Sequence, residues 1–201
     1  MISVYQIKPK FQALLRPLMQ GLHRIGMSPN QITLIALLGA ISLGTYTYLS
    51  GDSWLPFLLL PIFLLVRMAL NALDGMMART YNQQSKLGEV LNELGDVISD
   101  VILYFPLLIK WELDKHPVFL FSFILLMVLN EFVGVLAKAM GGERRYDGPM
   151  GKSDRALVFG LFCIIYCCYP SSKSYLFYAL MIMFGAMLLS TFTRIKKSIS
   201  V

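Results

Sequence analysis

The sequence predicts an all-α, polytopic membrane protein, with six transmembrane helices preceded by an amphipathic helix on the inner membrane surface. Of its 201 residues, 56% are hydrophobic and only 15% are charged, whereas soluble domains have about 45–50% apolar and about 25% charged residues. Six apolar stretches are each close to the length of about 20 residues that a helix needs to cross a bilayer. They occupy residues 31–49, 54–78, 89–110, 118–139, 155–169 and 174–193.

Residues 1–28 form the predicted N-terminal unit. Helical spacing places apolar side chains on one face and Lys10, Arg16 and Arg24 on the other, which is typical of a helix lying flat among lipid headgroups. An ordinary amphipathic helix packed on protein has the same pattern. Pro17 indicates a kink or a late helix start. The apolar face comprises Phe11, Leu14, Leu15, Leu18, Leu22 and Ile25.

The membrane unit, residues 29–201, begins with a helix-start signal. Ser28 can cap the first apolar stretch, Pro29 suits the first helical position, and Gln31 can reach back to complete a capping box. With the N-terminus inside, 14 of the 18 Lys and Arg residues fall in cytoplasmic segments. The positive-inside rule therefore predicts that both termini are cytoplasmic.

The composition also excludes several classes of protein. The formal net charge of +6 fits attraction to anionic lipid, and without a basic stripe of interleaved aromatics we expect no nucleic-acid partner. Cys163, Cys167 and Cys168 are odd in number and lack histidines at zinc spacing, so we expect small apolar fillers rather than disulfides or a zinc site. No cleavable signal peptide is predicted.

Polar residues recur at helical spacing on the second and third apolar stretches. One face of the second carries Arg67, Asn71, Asp74 and Ala78, and one face of the third carries Gly88, Asn92, Asp96 and Asp100. Because a short polar turn joins the two stretches, Asp74 should lie near Asn92 and Asp96, with Arg67 level with Asp100. Ionisable groups inside a membrane are costly and indicate a functional site.

Carboxylate and amide oxygens are the ligands of hard cations such as Mg²⁺, which is often held by one or two carboxylates plus substrate phosphates. Gly75 and Gly88 would allow a ligand or a backbone to approach closely. Arg79 could donate several hydrogen bonds to a phosphate. The alternative is a polar network that only holds helices together.

These residues resemble the signature of the CDP-alcohol phosphotransferase family, D-x2-D-G-x2-A-R-x8-G-x3-D-x3-D. The chain keeps every spacing and matches six of the eight fixed residues, from Asn71 to Asp96. Ser28-Pro29-Asn30 with Thr33 resembles the start of the family's first span. The segment from Gly151 to Arg155 resembles the basic segment before its fifth.

The resemblance implies a homodimeric enzyme of phospholipid biosynthesis in the bacterial inner membrane, with its site open to the cytoplasm. It would transfer a phosphatidyl group from CDP-diacylglycerol, or another CDP-alcohol, to a small polar alcohol and release CMP. The family uses two divalent ions, Mg²⁺ or Mn²⁺, held by its four aspartates. The corresponding positions here are Asn71, Asp74, Asn92 and Asp96.

The same resemblance assigns roles to individual residues. Asp96 would be the base that takes the proton of the attacking hydroxyl, and Lys152 and Arg155 would lie near the acceptor. Glu131 would join the charged cluster, contact the acceptor or serve helix packing. The CDP-binding residues would be Asn71, Asp74, Gly75, Ala78, Arg79 and Gly88.

Asn71 and Asn92 depart from the family pattern, because aspartates are expected at both positions. Two negative charges are lost, so divalent cations should bind more weakly, as one ion or two. Asp100 could compensate, although pairing with Arg67 is the favoured interpretation because an unpaired charge at that depth is costly.

Three functions compete on this basis. The favoured one is an active transferase, for which the basic residues 144–155 would suit an anionic acceptor or would simply reflect a positive-inside loop. The second is a weakened homologue that binds CDP-lipid as a sensor or partner protein. A transporter or channel is the least favoured, because we find no internal repeat.

Overall fold

The computed structural model describes residues 4–199, and side-chain surroundings from Lys10 onward. Over this range the regular structure is entirely helical, with seven α-helices and two short 3₁₀ turns at Leu113–Lys115 and Pro170–Ser172. The helices are α1 (Val4–Arg24), α2 (Pro29–Leu49), α3 (Leu55–Thr80), α4 (Lys86–Lys110), α5 (Pro117–Ala139), α6 (Lys152–Cys168) and α7 (Lys173–Ile199).

Four segments are long and apolar enough to cross a membrane, namely α2, α3, α5 and the segment Pro170–Ile199 that contains α7. The all-α fold class is thereby confirmed. Helix α4 carries several charges, and α6 has only 17 residues. Both coincide with predicted spans, but the count of six spans stays a prediction.

The start of α2 follows its sequence signal closely. The Ser28 hydroxyl accepts a hydrogen bond from the Gln31 backbone at 3.3 Å, and the Gln31 side chain accepts one from the Ser28 backbone at 2.8 Å. Pro29 is the first helical residue, where its missing N–H costs nothing. The predicted capping box is confirmed.

Helix α1 differs from expectation at Pro17. The helix begins at Val4 and continues through this proline, so a late start is wrong. A proline inside a helix leaves the carbonyl four residues earlier without a partner. That residue, Ala13, and Pro17 itself are both exposed, so the surroundings of the helix can satisfy the free carbonyl.

The predicted apolar face of α1 is partly buried against the protein and partly exposed. Leu15 and Met19 are buried in a cluster with Leu73 and Met77 of α3. The exposed side chains of the predicted face include Leu14 and Leu18 on α1 and Ile25 just after its end. Part of α1 therefore packs on protein, and its placement on a membrane surface stays a prediction.

The main core lies among α2 to α7 and contains stacked aromatic rings, such as Tyr104 on Phe159 with centroids 4.2 Å apart. Helix α2 packs on α3 and α4, α3 on α6, and α5 on α7. Helices α2 and α4 approach each other closely at Gly44, where a Cβ atom would overlap the carbonyl oxygen and side chain of Ile102. Because α3 and α4 both pack on α2, this packing fixes where the two helices lie relative to each other.

We expect Gly44→Ala to lower the free energy of unfolding by about 1–3 kcal/mol, because the added methyl group forces α2 away from α4. Denaturant-induced unfolding in detergent micelles measures the change. Gly185→Ala is the matched control, since a Cβ atom there meets nothing within 4 Å and alanine favours the helix. Equal stability of the two variants would contradict the close packing at Gly44.

Candidate active site

A cavity of about 590 Å³ lies where α3 turns into α4, beside the first turns of α2. Helix α3 contributes Asp74, Gly75, Ala78 and Arg79 to its wall. Helix α4 contributes Gly88 and Asn92, and Thr33 comes from α2. The short turn between α3 and α4 brings the two halves of the sequence motif to one place.

Asp74 lies at the inner end of this cavity and is held in a fixed orientation. Its Oδ2 accepts a hydrogen bond from Thr33 Oγ1 at 2.7 Å, and its Oδ1 accepts one from the Gly75 backbone at 2.5 Å. Sequence reasoning did not assign this role to Thr33. The signal was present, because Thr33 ends the Pro29-Asn30-x-x-Thr33 pattern.

The two glycines of the motif keep the cavity open. A Cβ atom at Gly88 would lie 2.6 Å from Asn30 Oδ1, and one at Gly75 would lie 3.3 Å from Arg79 Nη1. Arg79 is exposed, and no carboxylate among residues 4–199 pairs with it. The cavity therefore presents an unpaired guanidinium at its wall, which suits a phosphate.

Asp96 lies behind this wall and is almost fully buried, with 6% of its surface exposed. Its Oδ1 accepts hydrogen bonds from Asn71 Nδ2 at 2.9 Å and Arg67 Nη2 at 3.4 Å. Its Oδ2 forms an ion pair with Lys152 Nζ. Asp96 is close enough to Asp74 for the two carboxylates to repel each other.

A chain of buried ion pairs continues from Asp96 across the bundle. Asp100 Oδ1 accepts a hydrogen bond from Arg67 at 2.6 Å, so the predicted Arg67–Asp100 pair is present. Asp100 Oδ2 is 2.7 Å from Arg155 Nη2, which is also 3.0 Å from Glu131 Oε1. All four side chains are buried.

Two further arginines, Arg144 and Arg194, lie close to the Glu131 carboxylate of α5. Arg144 Nη2 is 3.2 Å from Glu131 Oε2 and 2.8 Å from Glu93 Oε2, and Arg194 Nη1 is 3.9 Å from Glu131 Oε1. Of the alternatives for Glu131, the structure shows membership of the charged cluster. Sequence spacing could not reveal Arg194 or Glu93, because both pairs join distant segments.

The structure divides the predicted site residues into two groups. Five of the six expected CDP-binding residues line the cavity. Asn71 is the exception, because its amide points at Asp96 rather than into the open space. The expected metal ligands also separate, with Asp74 and Asn92 on the cavity and Asn71 and Asp96 behind it.

The side chains around the cavity offer few ligands for a divalent cation. Within residues 4–199, no group of three or more His, Cys, Asp and Glu side chains is placed to hold a metal ion. Asp74 and Asn92 together offer one carboxylate and one amide oxygen on the cavity wall. That set fits one Mg²⁺ held largely by substrate phosphates, and it does not fit a pair of ions.

Comparisons with known proteins agree with this fold. The family model described as CDP-alcohol phosphatidyltransferase matches residues 26–192. The inner membrane protein YnbA of Escherichia coli K12 is 51% identical over 169 residues, covering 84% of this chain and 83% of YnbA. Archaetidylinositol phosphate synthase of Pyrococcus horikoshii is 32% identical over 111 residues, or 53% of this chain and 56% of that protein.

A solved structure shares the fold. The crystal structure of Mycobacterium tuberculosis phosphatidylinositol phosphate synthase (PgsA1) with CDP-DAG bound superimposes with a TM-score of 0.73 at 18% identity. The match covers 90% of this chain and 92% of that one.

Fold and site together define an integral membrane protein with a polar cavity built on the turn between helices α3 and α4. The chain belongs to the CDP-alcohol phosphatidyltransferase family, a family of transferases.

Proposed function

We propose that this protein transfers a phosphatidyl group from CDP-diacylglycerol to the hydroxyl group of a small polar alcohol, in phospholipid biosynthesis. The observation that carries the proposal is the cavity itself, which combines Asp74, the unpaired Arg79 and the space above Gly75 and Gly88. We further propose a homodimer in a bacterial inner membrane, with both termini and the cavity on the cytoplasmic side.

The cavity suits a nucleoside diphosphate better than an apolar ligand. Arg79 can donate two parallel hydrogen bonds to phosphate oxygens, and the glycines let the diphosphate approach the backbone of α3 and α4. Amide side chains of Asn30, Gln83 and Gln84 also line the space. They offer donors and acceptors for the cytosine and ribose groups.

In the proposed reaction, the acceptor oxygen forms a bond to the phosphorus of the phosphatidyl group. The bond from that phosphorus to the CMP oxygen breaks, and CMP leaves with the bonding electron pair. Asp96 takes the proton from the acceptor hydroxyl as general base. Asn71 and Arg67 hold the Asp96 carboxylate in place.

Among the described residues, a divalent cation fits best at Asp74, with Asn92 beside it. When bound there, such an ion would polarise phosphoryl oxygens and balance charge on the leaving CMP. Asp74 is prepared for this role by Thr33, whose hydroxyl fixes the direction of the carboxylate.

The acceptor lies, in this proposal, on the side of Asp96 that faces Lys152 and Arg155. The positive charges of the two nearby arginines are already balanced by carboxylates. Arg155 contacts Asp100 and Glu131, and Arg144 contacts Glu93 and Glu131. Arg144 and Arg155 support the site by holding its helices together, and we do not assign them to an anionic group of the acceptor.

The direct test incubates the purified protein in detergent micelles with radiolabelled CDP-diacylglycerol, Mg²⁺ or Mn²⁺ and a panel of small alcohols. We expect release of CMP that depends on one of the alcohols, with a matching new phospholipid. Absence of CMP release with every acceptor, despite tight binding of CDP-diacylglycerol, would contradict transferase activity.

Arg79→Gln should raise KM for CDP-diacylglycerol about 10- to 100-fold, because one or two charge-assisted hydrogen bonds to the diphosphate are lost. Stability should be unchanged, since Arg79 is exposed and pairs with no carboxylate in the described chain. Arg16→Gln, an exposed residue of α1, is the control. An unchanged KM would exclude Arg79 from the donor site.

The second candidate is a homologue that binds CDP-lipid without turnover, as a sensor or partner protein. It is favoured by the hydrogen bond from Asn71 to Asp96, which occupies the carboxylate proposed as base. The assay above separates the two, because a sensor would bind CDP-diacylglycerol and release no CMP.

A further inference from the structure

Three hydrogen-bond donors surround the Asp96 carboxylate. Asn71 Nδ2 and Arg67 Nη2 contact Oδ1, and the Lys152 ammonium contacts Oδ2. A carboxylate can only accept, so Asn71 must present its NH₂ group and turn its carbonyl oxygen away. A divalent cation needs oxygen ligands, and among the described contacts of Asp96 it would meet only N–H groups.

Lys152 is placed to act on more than Asp96. It lies in the first turn of α6, and 24% of its side chain is exposed. Its positive charge also acts on the Asp74 carboxylate at the cavity wall, over a longer distance than the salt bridge to Asp96. An ammonium group carries three N–H donors, so contact with Asp96 leaves donors for a second anionic group.

We propose that the Lys152 ammonium takes the place of a divalent cation at Asp96, bridging this carboxylate and the diphosphate of the CDP-linked substrate. The proposal rests on the proposed function, because it assumes that a CDP group enters the cavity. This role accounts for asparagine at both Asn71 and Asn92. With the Lys152 ammonium in place of a divalent ion, the site holds less positive charge and needs fewer carboxylates to balance it. At most one divalent ion then binds, at Asp74.

The opposing interpretation is a salt bridge that only fastens α6 to α4. Both interpretations predict some loss of stability when Lys152 is replaced. They differ in whether Lys152 affects the number of bound metal ions and the binding of CDP without metal. Neither readout requires turnover.

The experiment measures Mn²⁺ binding by electron paramagnetic resonance and CDP binding by isothermal titration calorimetry, on purified full-length protein in detergent. The variants are Lys152→Met, Lys152→Arg, and the triple change Asn71→Asp, Asn92→Asp and Lys152→Met. Lys115→Met is the control, because Lys115 is exposed and pairs with Glu112 in the 3₁₀ turn between α4 and α5.

With CDP present, we expect at most one Mn²⁺ ion per chain in the native protein and two in the triple variant. In EDTA, Lys152→Met should bind CDP about 10- to 100-fold more weakly than the native protein, the loss typical of a charge-assisted hydrogen bond. Lys152→Arg should retain most of the affinity, and Lys115→Met all of it.

Two Mn²⁺ ions in the native protein would overturn the role of Lys152 while leaving the proposed function intact. Equal CDP affinity of Lys152→Met and the native protein in EDTA would do the same. Failure of the native protein to bind CDP, with or without Mn²⁺, would overturn the proposed function and this inference together.

Discussion

Replacing Asp100 with asparagine should lower the free energy of unfolding by about 3–5 kcal/mol, the cost of breaking a buried ion pair from one side. Asp100 is the carboxylate shared by Arg67, at 2.6 Å, and Arg155, at 2.7 Å, and all three groups are buried. Asparagine is nearly the same size, so the loss is one of charge. Denaturant-induced unfolding in detergent micelles measures it.

Asp114→Asn is the control for this experiment, because Asp114 is exposed in the 3₁₀ turn at Leu113–Lys115. Surface substitutions of this kind usually change stability by less than about 0.5 kcal/mol. An Asp100→Asn protein as stable as Asp114→Asn would show that the buried arginines do not depend on Asp100.

Asp96→Asn should lower kcat for CMP release by about 10²- to 10⁴-fold, the usual contribution of a general base. The effect on stability should be smaller than that of Asp100→Asn. Arg67 keeps its pair with Asp100, and Lys152 is exposed enough to be solvated by water. The measurement is CMP release from radiolabelled CDP-diacylglycerol, with unfolding followed in parallel.

In the same assay, Asp100→Asn separates a loss of catalysis from a loss of structural stability. We expect it to reduce CMP release less than Asp96→Asn does, once both rates are corrected for the folded fraction. If Asp96→Asn retained near-normal activity, Asp96 would not be the base, and the alternative function as a CDP-lipid sensor would gain support.

Local signals in the sequence predicted local structure well. The capping box at Ser28 and Gln31 is complete within four residues, so no distant contact can override it. The Arg67–Asp100 pair was also predictable, because two helices joined by a short turn have a known register. The same register brings Asp74, Gly88 and Asn92 to one cavity.

Contacts between distant segments were not predictable from spacing. Arg194 of α7 reaches Glu131 of α5 across 63 residues of sequence, and no periodicity encodes that meeting. The direction of the Asn71 amide is a related case, because the sequence shows which face it lies on but not which group it meets. For α1, hydrophobic spacing identified an apolar face but could not distinguish protein contacts at Leu15 from exposed positions such as Leu14.

Glu131 is synthesised before all of the arginines that neutralise it. Its three arginine partners, Arg144, Arg155 and Arg194, all follow it in the sequence. During synthesis α5 is therefore complete before any of these positive charges exists, and a carboxylate without a counter-charge is costly in lipid. We therefore expect stable insertion of α5 to depend on the C-terminal third of the protein, which supplies all three arginines.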